Sequence, residues 1–148
     1  MFPYQDIIQG IEQLIAQEIP FLLRLSEEQV SNRRNHQRLV RLQYAPRCGH
    51  SMPNTEMGML VFPDYTQDND LWLQLQDYQH EDWQTLVQLL LYYNRHICHL
   101  IRAIDTTKRA NYWLDYTGNR VTLDDMVHGY LAHLLLHLQQ IHELITEN

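Results

Sequence analysis

The run LVQLLLYYNRHICHLIRAI, residues 86–104, decides the fold class. Within it Leu86, Leu90, Tyr93, Ile97, Leu100, Ile101 and Ile104 recur at three- and four-residue steps, which places them on one stripe of a helix. A long apolar stripe of this kind is the pattern of a bundle helix, which buries one face and leaves the other to water. The helix is expected from about Glu81 to Ile104.

Working outward, the C-terminal side holds a turn at Gly118-Asn119 and then Thr122, a suitable N-cap. Asp124 and Asp125 follow in the first turn, where the helix dipole favours negative charge. A last helix is expected to about Ile145. On the N-terminal side, Ile7, Ile8, Ile11, Leu14, Ile15 and Ile19 mark a first helix over Tyr4 to Ile19. Pro20, which has no amide hydrogen to donate, is expected to end or kink it, with Phe21, Leu22, Leu23 and Leu25 as a short continuation.

Ser26-Glu27-Glu28-Gln29 reads as a capping box opening a second helix to about Tyr44. Its middle is polar, and only Val30, Leu39, Val40, Leu42 and Tyr44 can be offered to a core. From Ala45 to about Gln79 the periodicity fails, and Pro46, Gly49, Pro53, Gly58 and Pro63 punctuate a long connection. Leu71, Trp72, Leu73 and Leu75 suggest that part of it folds back. The expectation is a single all-α domain over residues 1–148, an antiparallel four-helix bundle.

Composition bounds the function. Hydrophobic residues make up 45% and charged residues 20%, the balance of a globular chain. A net charge of −7, from 11 basic and 18 acidic residues, works against binding nucleic acid through its backbone. Arg33, Arg34, Arg38 and Arg41, with His36 among them, read as a solvated helix face rather than a phosphate strip. No apolar run approaches the ~20 residues that span a bilayer. Two cysteines, Cys48 and Cys98, are too few for a disulfide framework, and the absence of a signal-peptide pattern makes the cytoplasm the expected compartment. Cys98 lies among apolar residues, where a thiol is inert.

The chemistry-bearing feature is His133-Leu-Leu-Leu-His137. Residues four apart on a helix sit one turn above each other, so both imidazoles can reach one ion. They share a line with Met126, Tyr130, Ile141 and Leu144, beside the stripe of Val127, Leu134, Leu138 and Ile145, and are expected to point into the bundle or its rim, not to bulk water. Buried imidazoles need partners, and a divalent metal would satisfy both; hydrogen bonds to neighbouring tyrosines and carbonyls are the alternative. His128 and His142 project to the opposite side and read as surface residues.

The string from Asp125 through Tyr130, His133 and His137 to Ile141 resembles the last helix of the DinB-like metalloenzyme superfamily. Asn35-His36-Gln37-Arg38-Leu-Val-Arg41-Leu-Gln43 is similar to the end of that family's second helix, Phe62-Pro63-Asp-Tyr65-Thr-Gln67-Asp68 to its central connection, and Tyr93-Asn94-Arg95-His96 to its third helix. The resemblance covers most of the chain from about residue 35 onward. It implies an up-down-down-up four-helix bundle, often a homodimer, in which a divalent ion is held by a histidine on helix two and a pair on helix four. His133 and His137 stand at the positions of that pair. Zn²⁺, Ni²⁺ and Fe²⁺ all suit imidazole ligands.

The helix-two histidine of the family lies in a Gly-His-Leu-(Ile/Val)-Asp motif about nine residues before the Asn-His-Gln-Arg string, and here Glu27 stands at that distance. Candidates for a third ligand are therefore His36, His50, His96 or a residue of a partner chain, while His99 faces further out. Relatives that transfer or add low-molecular-weight thiols imply a metal-dependent thiol transferase or hydrolase. The alternative is a non-catalytic helical interaction protein with a degenerate metal site.

Overall fold

A computed structural model describes residues 3–30, 59–61, 80–115 and 117–146, with only the backbone pairing of 59–61. In chain order the helices are α1 (Gln5–Leu22), α2 (Glu27–Val30), α3 (Trp83–Arg102) and α4 (Leu123–Thr146). The second helix beyond Val30, most of the connection over 45–79, the arginine cluster, Cys48, His36 and His50 lie outside the described residues.

Helix α1 forms as its periodicity predicts and buries Ile7, Ile8, Ile11, Ile15, Ile19 and Leu22. It runs through Pro20 and ends two residues later. Proline at that point removes the donor for one carbonyl, that of Ala16, and the last turn closes by Leu23 N–H to Ile19 O at 3.0 Å. The capping box then opens α2: Ser26 N–H donates to Gln29 Oε1 at 3.0 Å, and Gln29 N–H to Ser26 Oγ at 3.3 Å.

Helix α3 starts at Asp82, whose carboxylate accepts Thr85 N–H at 2.7 Å. It buries Trp83, Leu86, Val87, Leu90, Asn94, Cys98 and Ile101. Trp83 Nε1 donates to Leu22 O at 2.8 Å, tying the start of α3 to the end of α1, while Arg102 at its other end pairs with Glu12. The two helices are therefore antiparallel.

Contacts between α1 and α4 climb together: Tyr4 to Asp124, Gly10 to Leu131, Glu18 to His142. These helices run parallel. A Cβ placed on Gly10 would lie 2.7 Å from Leu131 Cδ2, so the end of the Leu131 side chain lies directly over the bare backbone of Gly10. Tyr130 Oη donates to Asn94 Oδ1 at 2.8 Å and fixes the height of α4 against α3. Between the three helices Ile8, Ile11, Leu86, Val87, Leu90, Leu134 and Ile141 are fully buried.

The described residues are mostly helical, as the periodicity indicates, but they include a small sheet that the all-α reading omits. Strands β1 (Met59–Val61), β2 (Tyr112–Leu114) and β3 (Arg120–Thr122) lie in the order β1-β2-β3, the first pair parallel and the second antiparallel. The expected turn at Gly118-Asn119 is the tip of the β2–β3 hairpin, with Gly118 at φ 84° and the Asp115 carboxylate accepting Thr117 N–H at 2.8 Å and Asn119 N–H at 2.9 Å. Strands of three residues are too short to show an alternating pattern, which is why the periodicity missed them. Thr122 ends β3 and caps α4: its Oγ1 accepts Asp125 N–H at 3.0 Å, and its own N–H donates to Asp125 Oδ2 at 2.9 Å. Among the described residues no helix is long and apolar enough to cross a membrane.

Candidate metal centre

Helix α4 packs against α1 and reaches α3 through the Tyr130–Asn94 hydrogen bond, and His133 and His137 lie on it beside its buried stripe. Leu134, Leu138 and Ile141 face the core between them. His133 is exposed and His137 half-buried. His137 thus sits at the rim as expected, whereas His133 is turned to water, which its place on the Tyr130–Ile141 line did not imply.

The two rings converge. Nε2 of His133 and Nε2 of His137 lie 3.0 Å apart, the ring planes are inclined by 80°, and the centroids are 4.4 Å apart. Two imidazole lone pairs cannot face each other at this distance without a positive centre between them. In the metal-free protein that centre is one ring proton. Partial desolvation by its neighbours lowers the pKa of His133 below the ordinary histidine value although the residue reaches water, so His133 favours its neutral ring, the form that binds metal.

The spacing suits a metal ion. Nitrogens bound at ~2.0–2.1 Å to one ion, with an angle of 90–109° at the metal, lie roughly 2.9–3.4 Å apart. The structure reproduces that bite with no ion to impose it. Nδ1 of His137 meets the side-chain Oε1 of Gln140 at 3.1 Å, an outer contact of the kind that orients metal-binding histidines. Gln140 went unnoticed in the sequence; its place three residues after His137, one turn along the same face, is the signal that could have found it.

No third donor joins them among the described residues. Among the described residues no group of three or more His, Cys, Asp or Glu side chains is gathered for a metal. His96 is exposed on α3 and stacks on His99, with ring centroids 6.1 Å apart, rather than meeting the pair. His36 and His50 lie outside the described residues.

Two other histidines divide. His128 is exposed, as expected, with Nδ1 on the Asp124 carbonyl at 2.8 Å. His142 is partly exposed, at 42% of its side chain, and on its covered side the ring stacks on Phe21 at 4.4 Å and Nε2 meets Glu18 Oε2 at 2.7 Å. Its partners Phe21 and Glu18 on α1 cover part of the ring, and the rest stays open to water. Cys98 is buried at 1% exposure and its thiol is pushed up to about 11 by burial, inert as expected. No family model, curated protein or solved structure matches the chain.

Proposed function

We propose that the chain is a DinB-like metal-binding protein in which His133 and His137 hold a divalent transition ion, Zn²⁺, Ni²⁺ or Fe²⁺. The observation that carries this reading is the 3.0 Å convergence of the two Nε2 atoms on one face of α4. The parallel course of α1 and α4, with α3 antiparallel, supports an up-down-down-up bundle completed by a helix that begins at Ser26. The remaining donor comes from His36, His50 or a partner chain. An ion held by two imidazoles keeps positions for water or a thiol and supplies Lewis-acid chemistry, which suits a thiol transferase or a hydrolase acting in the cytoplasm.

Metal uptake tests it. Stripped protein dialysed against Zn²⁺ or Ni²⁺ is expected to retain close to one ion per chain and to melt at a higher temperature, and His133→Ala and His137→Ala are each expected to abolish both effects. Wild-type protein that takes up no ion and melts unchanged overturns the reading.

A homodimer belongs to the same proposal, since a second copy would bring a further donor and cover exposed side chains such as Leu135 and Leu136 on α4. Sedimentation is expected to show a dimer at micromolar concentration. A monomer with full metal occupancy returns the third donor to the same chain. One observation favours a second reading: the two-histidine donor set, with no third among the described residues, also suits a non-catalytic helical interaction protein that keeps a remnant of the site.

A further inference from the structure

An imidazole binds metal through whichever nitrogen lacks a proton, and in a neutral ring only one does. The partner of the other nitrogen therefore decides whether a histidine can be a ligand at all. For His137 one partner of each nitrogen is visible among the described residues: Nδ1 faces the Gln140 side-chain oxygen at 3.1 Å, and Nε2 faces His133. An amide oxygen only accepts. The ring proton of His137 thus sits on Nδ1, and Nε2 is left as the acceptor aimed at His133.

The same logic fixes His133. Across 3.0 Å a donor must face an acceptor, so His133 carries its proton on Nε2 and donates it to His137 Nε2. For both nitrogens to meet one ion, His133 must change tautomer, losing the proton from Nε2 and taking one up on Nδ1 from water. The exposed position of His133 lets water reach its ring for that exchange. His137, held by Gln140, needs no change.

We infer that Gln140 is a positioning residue that locks His137 in the Nδ1-protonated tautomer, so that His137 is the preset ligand of the pair and His133 the one that switches. This rests on the metal reading above for its purpose, but the tautomer itself is a property of the metal-free chain. Gln140 is half-buried on α4 and reaches back one turn to His137, a geometry that a helix holds without a loop to order.

Nitrogen-15 NMR of metal-free protein, with the histidine rings assigned through His133→Ala and His137→Ala, reads the tautomers directly. In the wild type His137 is expected to show a protonated Nδ1 and an unprotonated Nε2, and His133 the reverse. In Gln140→Leu the His137 signal is expected to move toward a mixture of tautomers, and Zn²⁺ affinity to fall about tenfold. Gln140→Glu keeps the acceptor and is expected to preserve the tautomer and to bind Zn²⁺ at least as tightly as the wild type, which guards against a misfolded leucine variant. A wild-type His137 protonated on Nε2, or a Gln140→Leu protein with unchanged tautomer and affinity, overturns the inference even if Zn²⁺ binds. The expected tautomers in a protein that binds no metal overturn the metal reading and leave the role of Gln140 standing.

Discussion

Asn94 is the buried polar side chain of the described core, fully shielded from water, and it is satisfied from both ends. Its Nδ2 donates to Leu90 O at 2.8 Å and its Oδ1 accepts the Tyr130 hydroxyl, whose pKa burial drives above the usual tyrosine range. Removing one member strands the other in the interior, so Asn94→Leu is expected to destabilise by about 1–3 kcal/mol in urea titrations. Tyr130→Phe is expected to cost less, and adding it to Asn94→Leu to recover part of the loss; strictly additive effects would show that the pair is not coupled. Legibility at this scale was uneven. Val127, Leu134 and Leu138 announced their burial through spacing, and the thiol of Cys98 through its neighbours. Asn94 did not, because a polar residue on a helix stripe gives no sign of a partner on another helix. Gln140 was missed for a related reason: an amide beside a histidine becomes meaningful once the ring nitrogens have directions.

At the scale of the element, short-range chemistry was readable and long-range pairing was not. Both capping boxes, at Ser26 and Thr122, depend on residues within one turn of each other, and the sequence contains everything that forms them. The sheet joins strands from far apart in the chain, each too short for a pattern, and so escaped. Gly10 belongs between these cases. On α1 it is an ordinary helix-weakening glycine, and its use becomes plain when Leu131 of α4 closes over it. Gly10→Leu would force the two backbones apart and is expected to lower stability by about 1–3 kcal/mol, read as a fall in melting temperature. Gly10→Ala is expected to be nearly neutral, since the gain in helix propensity offsets a contact with the flexible end of a leucine. A Gly10→Leu protein as stable as the wild type would mean that α1 and α4 are not in close register.

Across the whole molecule, the parallel helices α1 and α4 are stitched at their lower end by Tyr4, Arg109 and Asp124. The Tyr4 hydroxyl lies 2.7 Å from Asp124 Oδ1, and Arg109 Nε reaches the same oxygen at 2.8 Å. The Tyr4 hydrogen bond, then Arg109, hold the Asp124 carboxyl below the usual aspartate range. A depressed carboxyl stabilises the fold above its unfolded pKa of ~3.9 and loses that contribution as pH falls through the lower folded value. Asp124→Asn is therefore expected to melt below the wild type at pH 7, with the gap narrowing in melts below about pH 4. An equal gap at both pH values would assign the loss to packing. The helix directions that frame the candidate site were implied only by the family resemblance, because nothing in the periodicity of α1 says which neighbour covers it. That neighbour arrives late. Tyr4 waits for Asp124 and Glu18 for His142, separations of 120 and 124 residues, so during synthesis at ~5–20 residues per second the side of α1 that α4 covers stays open for on the order of ten seconds, after α3 has already emerged to take the other side.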